Sequence, residues 1–224
     1  MSSSRVLMPV FQLIQDVRSN QFFAAEVLAR WHENGVLIGP HQNPDVDWVA
    51  VDIATVSILG RSAELCQMFL PALFINVSEE LLASDTQFAR WLQIVEGIIK
   101  SKRVRITIEI TELIPDVLLH KRWLQLKSLG AEMALDDYGQ DFSSFARLTD
   151  YSWDYCKFSA QRLIEGESMQ AALYCMSKKI KCVTEQIETQ QQSSANLELG
   201  LWLQQGYFHH KPVTFSEYIS KLKG

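Results

Sequence analysis

Five carboxylates stand where charged side chains are costly. Glu26 lies inside Ala24-Ala25-Glu26-Val27-Leu28 and Glu109 inside Thr107-Ile108-Glu109-Ile110-Thr111. Asp136 and Asp137 follow Met133-Ala134-Leu135, and Glu185 follows Cys182-Val183-Thr184. Each sits in or just after an apolar stretch of strand character, not on a helix face. Charge so placed must be paired or metal-bound. Asn76, at the end of Leu73-Phe74-Ile75, adds a neutral oxygen at a matching position. Carboxylates with an amide oxygen make a hard site, suited to Mg²⁺, Mn²⁺ or Ca²⁺ rather than zinc. The adjacent pair Asp136-Asp137 would let one carboxylate bridge two ions while its neighbour holds the second. Paired metals about 3.5–4 Å apart serve in-line displacement at phosphorus. Any one acid alone is better explained by a local partner; five at matching strand ends favour a shared site. Lys157, ending Tyr155-Cys156-Lys157-Phe158, would either activate an attacking water or pair with the acids. Arg30, two residues past Leu28, would grip a phosphate as a bidentate fork or stand solvated after its strand.

The elements that must carry these residues alternate. Strand patterns cover Val6–Ile14, Phe22–Leu28, Ala72–Val77, Val104–Ile110, Ala131–Leu135, Trp153–Phe158, Ile180–Thr184 and Tyr207–Phe208. Helical spacing covers Asp45–Phe69, Thr86–Ile99, Pro115–Leu129, Ser168–Lys179 and Ser193–Gln204. Only Gln15–Gln21 separates the first two strands, too short for a parallel crossover of about a dozen residues. The repeated βα units that follow predict a parallel sheet closed into a barrel, an α/β fold of the TIM-like (β/α)8 type. In such a barrel the C-terminal strand ends converge on one mouth, which is where the acids fall. No Gly-rich phosphate fingerprint follows the first strand, so a dinucleotide-binding sheet has no positive support.

Composition narrows the class of partner. The 224 residues carry 26 Asp and Glu against 21 Lys and Arg, a formal charge of −5, which argues against a basic DNA-binding protein. Four cysteines form no CxxC pair, and free thiols in a reducing cytoplasm are the expectation. The N-terminal Met1–Arg5 has no signal-peptide stretch, and no run of about 18 apolar residues would span a membrane.

Taken together, these residues resemble the EAL domain, the cyclic di-GMP phosphodiesterase family of bacteria. Glu26-Val27-Leu28-Ala29-Arg30-Trp31 is similar to EALxRW, and Phe11-Gln12-Leu13-Ile14 to the family's YQPI strand. Asn76-Val77-Ser78 matches N-x-S, Glu109-Ile110-Thr111-Glu112 matches ExTE, and Asp136-Asp137-Tyr138-Gly139 resembles DDFG. Lys157-Phe158-Ser159 stands for KID, Thr184-Glu185-Gln186-Ile187-Glu188-Thr189 for AEGVET, and Gln205-Gly206-Tyr207 with Lys211-Pro212 for QGY…KP. The order of the motifs along one chain carries the resemblance, which runs from about Val10 to Pro212.

The resemblance implies a single EAL-like barrel domain over residues 1–224, with an antiparallel first strand. It implies two Mg²⁺ or Mn²⁺ ions on Glu26, Asn76, Glu109, Asp136, Asp137 and Glu185. Lys157 would contact the water nucleophile. Glu112 would hold the Asp-Asp loop, and Glu188 would support the metal and lysine region. Arg30 and Gln205 would bind the dinucleotide, with Gln12 and Leu28 beside them. The reaction implied is hydrolysis of cyclic di-GMP to linear pGpG, in a homodimer formed near the Asp-Asp loop. Three departures bear on turnover: Ser159 replaces the Asp of KID, Gln186 the Gly of AEG, and Gln140-Asp141 a Thr-Gly pair. The alternative reading is a weak or inactive EAL-like module that binds cyclic di-GMP, or a protein partner, as a regulator.

Overall fold

The computed structural model describes residues 5–43, 45–69, 72–101, 104–111, 113–139 and 145–217. Eight strands close a ring. In order around it they are β2 (Val10–Asp16), β3 (Gln21–Leu28), β6 (Ala72–Asn76), β7 (Arg105–Thr111), β8 (Glu132–Tyr138), β9 (Tyr155–Ser159), β10 (Lys181–Glu185) and β11 (Leu203–Gln204). β11 returns to pair with β2. From β3 to β11 every neighbouring pair is parallel, whereas β2 runs antiparallel to both β3 and β11. The expected TIM-like (β/α)8 barrel with an antiparallel first strand is therefore observed. Outside the ring, β1 (Val6–Leu7), β4 (Trp31–Glu33) and β5 (Val36–Ile38) form a small sheet, and β12 (Val213–Thr214) adds to β2.

The helices wrap the barrel. They are α1 (Trp48–Phe69), α2 (Glu79–Ala83), α3 (Asp85–Lys100), α4 (Asp116–Ser128), α5 (Phe145–Asp150), α6 (Ala160–Ile164), α7 (Met169–Lys178) and α8 (Gln190–Glu198). In α3 the apolar residues Phe88, Trp91, Val95 and Ile98 recur at three- and four-residue spacing and are buried against the sheet. Thr189 starts α8 with a capping box, its side chain accepting from Gln192 N at 3.2 Å.

Besides shifts of one to three residues at other ends and unpredicted short elements such as β4, β5, α2, α5 and α6, the main differences from the predicted pattern are these. Val6–Ile14 is two strands: Met8 and Pro9 part β1, which pairs with β4, from β2, which enters the barrel. The last barrel strand is Leu203–Gln204 rather than Tyr207–Phe208, and the helix before it ends at Glu198. Gln204 is a buried polar residue, its amide donating to Ser193 O and Leu201 O and accepting from Ser193 Oγ, so no alternating apolar pattern marks the strand. Tyr207 and Phe208 are exposed and lie in a turn. Finally, β8 extends to Tyr138, so both aspartates lie within the strand.

An apolar layer fills the barrel: Ile14, Ala24, Phe74, Ala134, Tyr155, Val183 and Leu203, with Ala72 one step below Phe74 on β6. Phe74 and Tyr155 meet edge to face with centroids 4.9 Å apart. Side chains alternate across a strand, so the residue two positions further on points into the same interior. Two positions toward the mouth from this layer stand Gln12, Glu26, Asn76, Asp136, Lys157, Glu185 and Gln205. Glu109 takes the same step from Thr107, itself fully buried.

Candidate active site

The step of two in each strand thus puts eight polar or charged groups into one level of the barrel. Lys157 lies at its centre, 1% exposed. Its Nζ is 2.6 Å from Glu109, 2.8 Å from Glu185, 2.9 Å from Asp136 and 3.1 Å from Glu26. Glu26 is held from two further sides. Gln205 Nε2 donates to its Oε2 at 2.7 Å, and Asn76 Nδ2 donates to its Oε1 at 3.2 Å. Asn76 and Glu109 are register partners on neighbouring strands, as are Gln12 and Glu26.

Asp137 reaches this level only through an irregularity. In a regular strand it would face away from Asp136. The register between β8 and β9 shifts between Leu135 and Tyr138, and Asp137 adopts φ 56°. Carboxylate oxygens of Asp136, Asp137 and Glu185 consequently lie within 4.8 Å of one another.

One ammonium with three N–H groups faces four carboxylates, so charge is unbalanced. Burial works against the charged form of Lys157, but Asp136, Glu109, Glu185 and Glu26 outweigh it and hold the ammonium well above its ordinary range. Burial, Glu26 and Asp136 push Glu109 well above the carboxylate range despite the lysine. Glu185 is raised well above it in the same way, by burial and by Asp136 and Glu26. Asp136 is raised chiefly by burial. Glu26 is buried too, yet Lys157, Gln205 and Asn76 together bring it below its ordinary range. Glu109 Oε2 is buried with no hydrogen-bond partner, whereas Glu109 Oε1 and Asp136 Oδ1 have the Lys157 ammonium as an ion-pair partner. An unpartnered buried carboxylate oxygen, next to three carboxylates whose oxygens lie within 4.8 Å of one another, suits a hard divalent cation. The residues present fit one.

A cleft of about 440 Å³ opens above this level, lined by Gln12, Glu26, Leu28, Arg30, Asp136, Asp137, Lys157, Glu185, Gln186, Glu188, Gln205, Gly206 and Tyr207. The guanidinium of Arg30 donates only to Ala29 O, at 2.8 Å, and pairs with no carboxylate among the described residues. Glu188 reaches the cleft wall but is exposed, and its carboxylate makes no ion pair with Lys157. Glu112 and the segment from Gln140 to Ser144 lie outside the described residues. A second cavity of about 440 Å³ shares Leu28 and Arg30 with the cleft and is walled by Asn76, Val51, Trp48 and Ile114. Its buried acid, Asp52, was not singled out by sequence reasoning. Asp52 Oδ2 accepts from Ser78 N at 2.9 Å and Ser78 Oγ at 2.6 Å, fixing the turn after Asn76. Burial pushes its carboxyl up to about 6.

Gly206 holds Gln205 in place by close approach. A Cβ there would lie 2.1 Å from Ile187 O and 2.3 Å from Ile187 N. Ile187 N donates to Gln205 O at 3.1 Å, Phe208 N to Ile187 O at 3.0 Å, and His210 N to Gly206 O at 2.9 Å. The first two bonds fasten the segment after β11 to the segment after β10, and the third closes the turn at Gly206.

A closed βα barrel with a lysine-centred ring of carboxylates at its mouth defines a TIM-like barrel protein with an acidic cluster fit to hold a metal ion. More narrowly, the chain belongs to the EAL domain family, whose model matches residues 2–212. It is 26% identical over 233 residues to the probable cyclic di-GMP phosphodiesterase PdeG of Escherichia coli K12, covering 95% of this chain and 46% of that one. The chain spans less than half the length of the curated relatives it matches. The solved EAL enzyme Bd1971, in its form with cAMP and cyclic di-GMP bound, superposes with a TM-score of 0.81 at 18% identity, over 96% of this chain and 64% of that one. Klebsiella pneumoniae BlrP1, in a complex with manganese and cyclic di-GMP, superposes at 0.78 with 18% identity, over 96% and 59%.

Proposed function

We propose that the chain hydrolyses one phosphodiester of cyclic di-GMP to linear pGpG, acting as a cytoplasmic single-domain barrel over residues 1–224. The observation that carries this reading is the convergence of Glu26, Asn76, Glu109, Asp136, Asp137 and Glu185 around Lys157 below an open cleft. These six residues would hold two Mg²⁺ or Mn²⁺ ions, as manganese accompanies cyclic di-GMP in the BlrP1 complex. Bound cations would acidify water and offset charge gathering on the phosphoryl oxygens. The chain's own residues do the rest. Lys157, held protonated by its neighbours, orients the attacking water by donation. Arg30, whose guanidinium donates to Ala29 O and to no carboxylate among the described residues, presents its remaining N–H groups to the phosphate. Gln205 and Asn76 keep Glu26 aimed at the centre.

The test is a hydrolysis assay with Mn²⁺, Mg²⁺ and Ca²⁺ in parallel. Turnover with Mn²⁺ or Mg²⁺, abolished in Glu26→Ala, is the expected result; no turnover with any of the three would refute it. One observation favours a second reading, cyclic di-GMP binding without turnover. Ser159, the last residue of β9, is a neutral hydroxyl where the family motif has a carboxylate. Tight nucleotide binding with no product would select that reading. Sedimentation would show whether the chain forms the proposed homodimer.

A further inference from the structure

Gln186 directly follows Glu185 and adopts φ 59°, a left-handed conformation that costs a side-chain-bearing residue free energy and glycine almost none. Its neighbours leave it no choice: Ile187 is fastened to Gln205 and Phe208 by backbone bonds of 3.1 and 3.0 Å. A strained non-glycine residue kept at the edge of a cleft points to a use for its side chain. That side chain is oriented. Ser159 Oγ donates to Gln186 Oε1 at 3.3 Å, across from the neighbouring strand. With the carbonyl oxygen so engaged, the amide Nε2 is left with two N–H groups and no partner among the described residues. The residue lines the cleft together with Lys157, Arg30 and Gln205. A lysine at this position would be drawn to the acid ring, as Lys157 is. A neutral amide avoids that pairing and keeps its donors for an anion.

We infer that Gln186 is a substrate-binding residue, its amide Nε2 donating to a non-bridging oxygen of the anionic phosphodiester. This rests on the functional reading above and adds a residue to it. Gln186→Gly removes the amide and relieves the backbone. Gln186→Asn keeps an amide on a shorter arm in a residue that tolerates the conformation. Ser159→Ala frees the amide to rotate. Calorimetry with cyclic di-GMP and Ca²⁺, and steady-state kinetics with Mn²⁺, would be run on the whole chain.

A hydrogen bond to a charged group predicts about a tenfold weaker Kd and higher KM for Gln186→Gly, with kcat within about twofold. Gln186→Asn should fall between it and wild type, and Ser159→Ala should weaken binding about two- to threefold. The Tm of Gln186→Gly should be unchanged or higher. A Kd for Gln186→Gly within twofold of wild type would overturn the inference and leave the functional reading standing. Loss of affinity accompanied by a lower Tm would overturn it as well, since the amide would then serve folding. Failure of the wild type to bind cyclic di-GMP at all would remove the functional reading, and this inference with it.

Discussion

Replacing Lys157 with methionine keeps a long, flexible side chain and deletes the charge that four carboxylates share. The acids can answer only by binding protons or by remaining charged together in a buried space. Glu26, which the lysine holds below its ordinary range, meets this cost first. Keeping one such glutamate neutral at pH 8, from an ordinary value of 4.5, costs about 3.5 pH units at about 1.36 kcal/mol each, roughly 5 kcal/mol. At pH 5 the same step costs about 0.7 kcal/mol. The variant should therefore lose about 3–5 kcal/mol of stability at pH 8, in the range for breaking a buried ion pair, and about 1 kcal/mol at pH 5. Divalent cations should reverse the loss. Mn²⁺ at a hundred times its Kd contributes about 2.7 kcal/mol. The variant should gain more than the wild type, because no ammonium competes for the same oxygens. Urea titrations at the two pH values, with and without Mn²⁺, measure all of this. Equal losses at pH 5 and pH 8, or no greater metal response in the variant, would refute the picture of Lys157 as the counter-charge of the acid ring.

Other perturbations test separate parts of the structure. Gly206→Ala puts a methyl about 2.1 Å from the Ile187 carbonyl, so two backbone segments must part. Strain and weakened backbone bonds together predict a loss of roughly 2–4 kcal/mol, read as a lower urea midpoint; an unchanged midpoint would show that the segment yields freely. Asp52 has its carboxyl raised from 3.8 to about 6, so the folded state holds a proton the unfolded state releases. Stability is thus present below about pH 4 and lost as pH rises toward 6, by roughly 3 kcal/mol. Asp52→Asn, which retains an oxygen for Ser78, should lack that part of the pH dependence, and identical profiles for the two proteins would exclude it. Arg30→Lys should raise KM for cyclic di-GMP about tenfold with Tm unchanged, because a lysine cannot form the bidentate fork; an unaltered KM would place the phosphate elsewhere.

The acids were legible because charge inside apolar strands is conspicuous, and a period of two then fixes which way each one points. Barrel closure followed from the repeated βα units, and the antiparallel start from a connection too short for a crossover. Other features depend on tertiary contact and leave little trace in one dimension. The pairing of Lys157 with four acids at once joins residues from five strands. The twist that turns Asp137 to the same side as Asp136 is a local break in periodicity, which periodic reading suppresses. The two-residue strand Leu203–Gln204 is too short to show alternation, and its polar member is satisfied by Ser193 of α8 and by Leu201 O. The β4–β5 hairpin did carry a signal, Asn34-Gly35 with φ 51° and 85°, the dipeptide that suits a tight turn between strands.

The return of β11 to β2 has a consequence for how the protein is made. The ring is shut by Leu203 and Gln204 meeting Asp16 and Gln15. Glu26 likewise receives Gln205, 179 positions away in sequence. During synthesis the early strands emerge with one edge bare and stay so until residue 204 has cleared the ribosome. Contacts of such long range slow folding and prolong the exposure of unpaired edges. The acid ring, which needs Glu185 and Gln205, is completed late for the same reason.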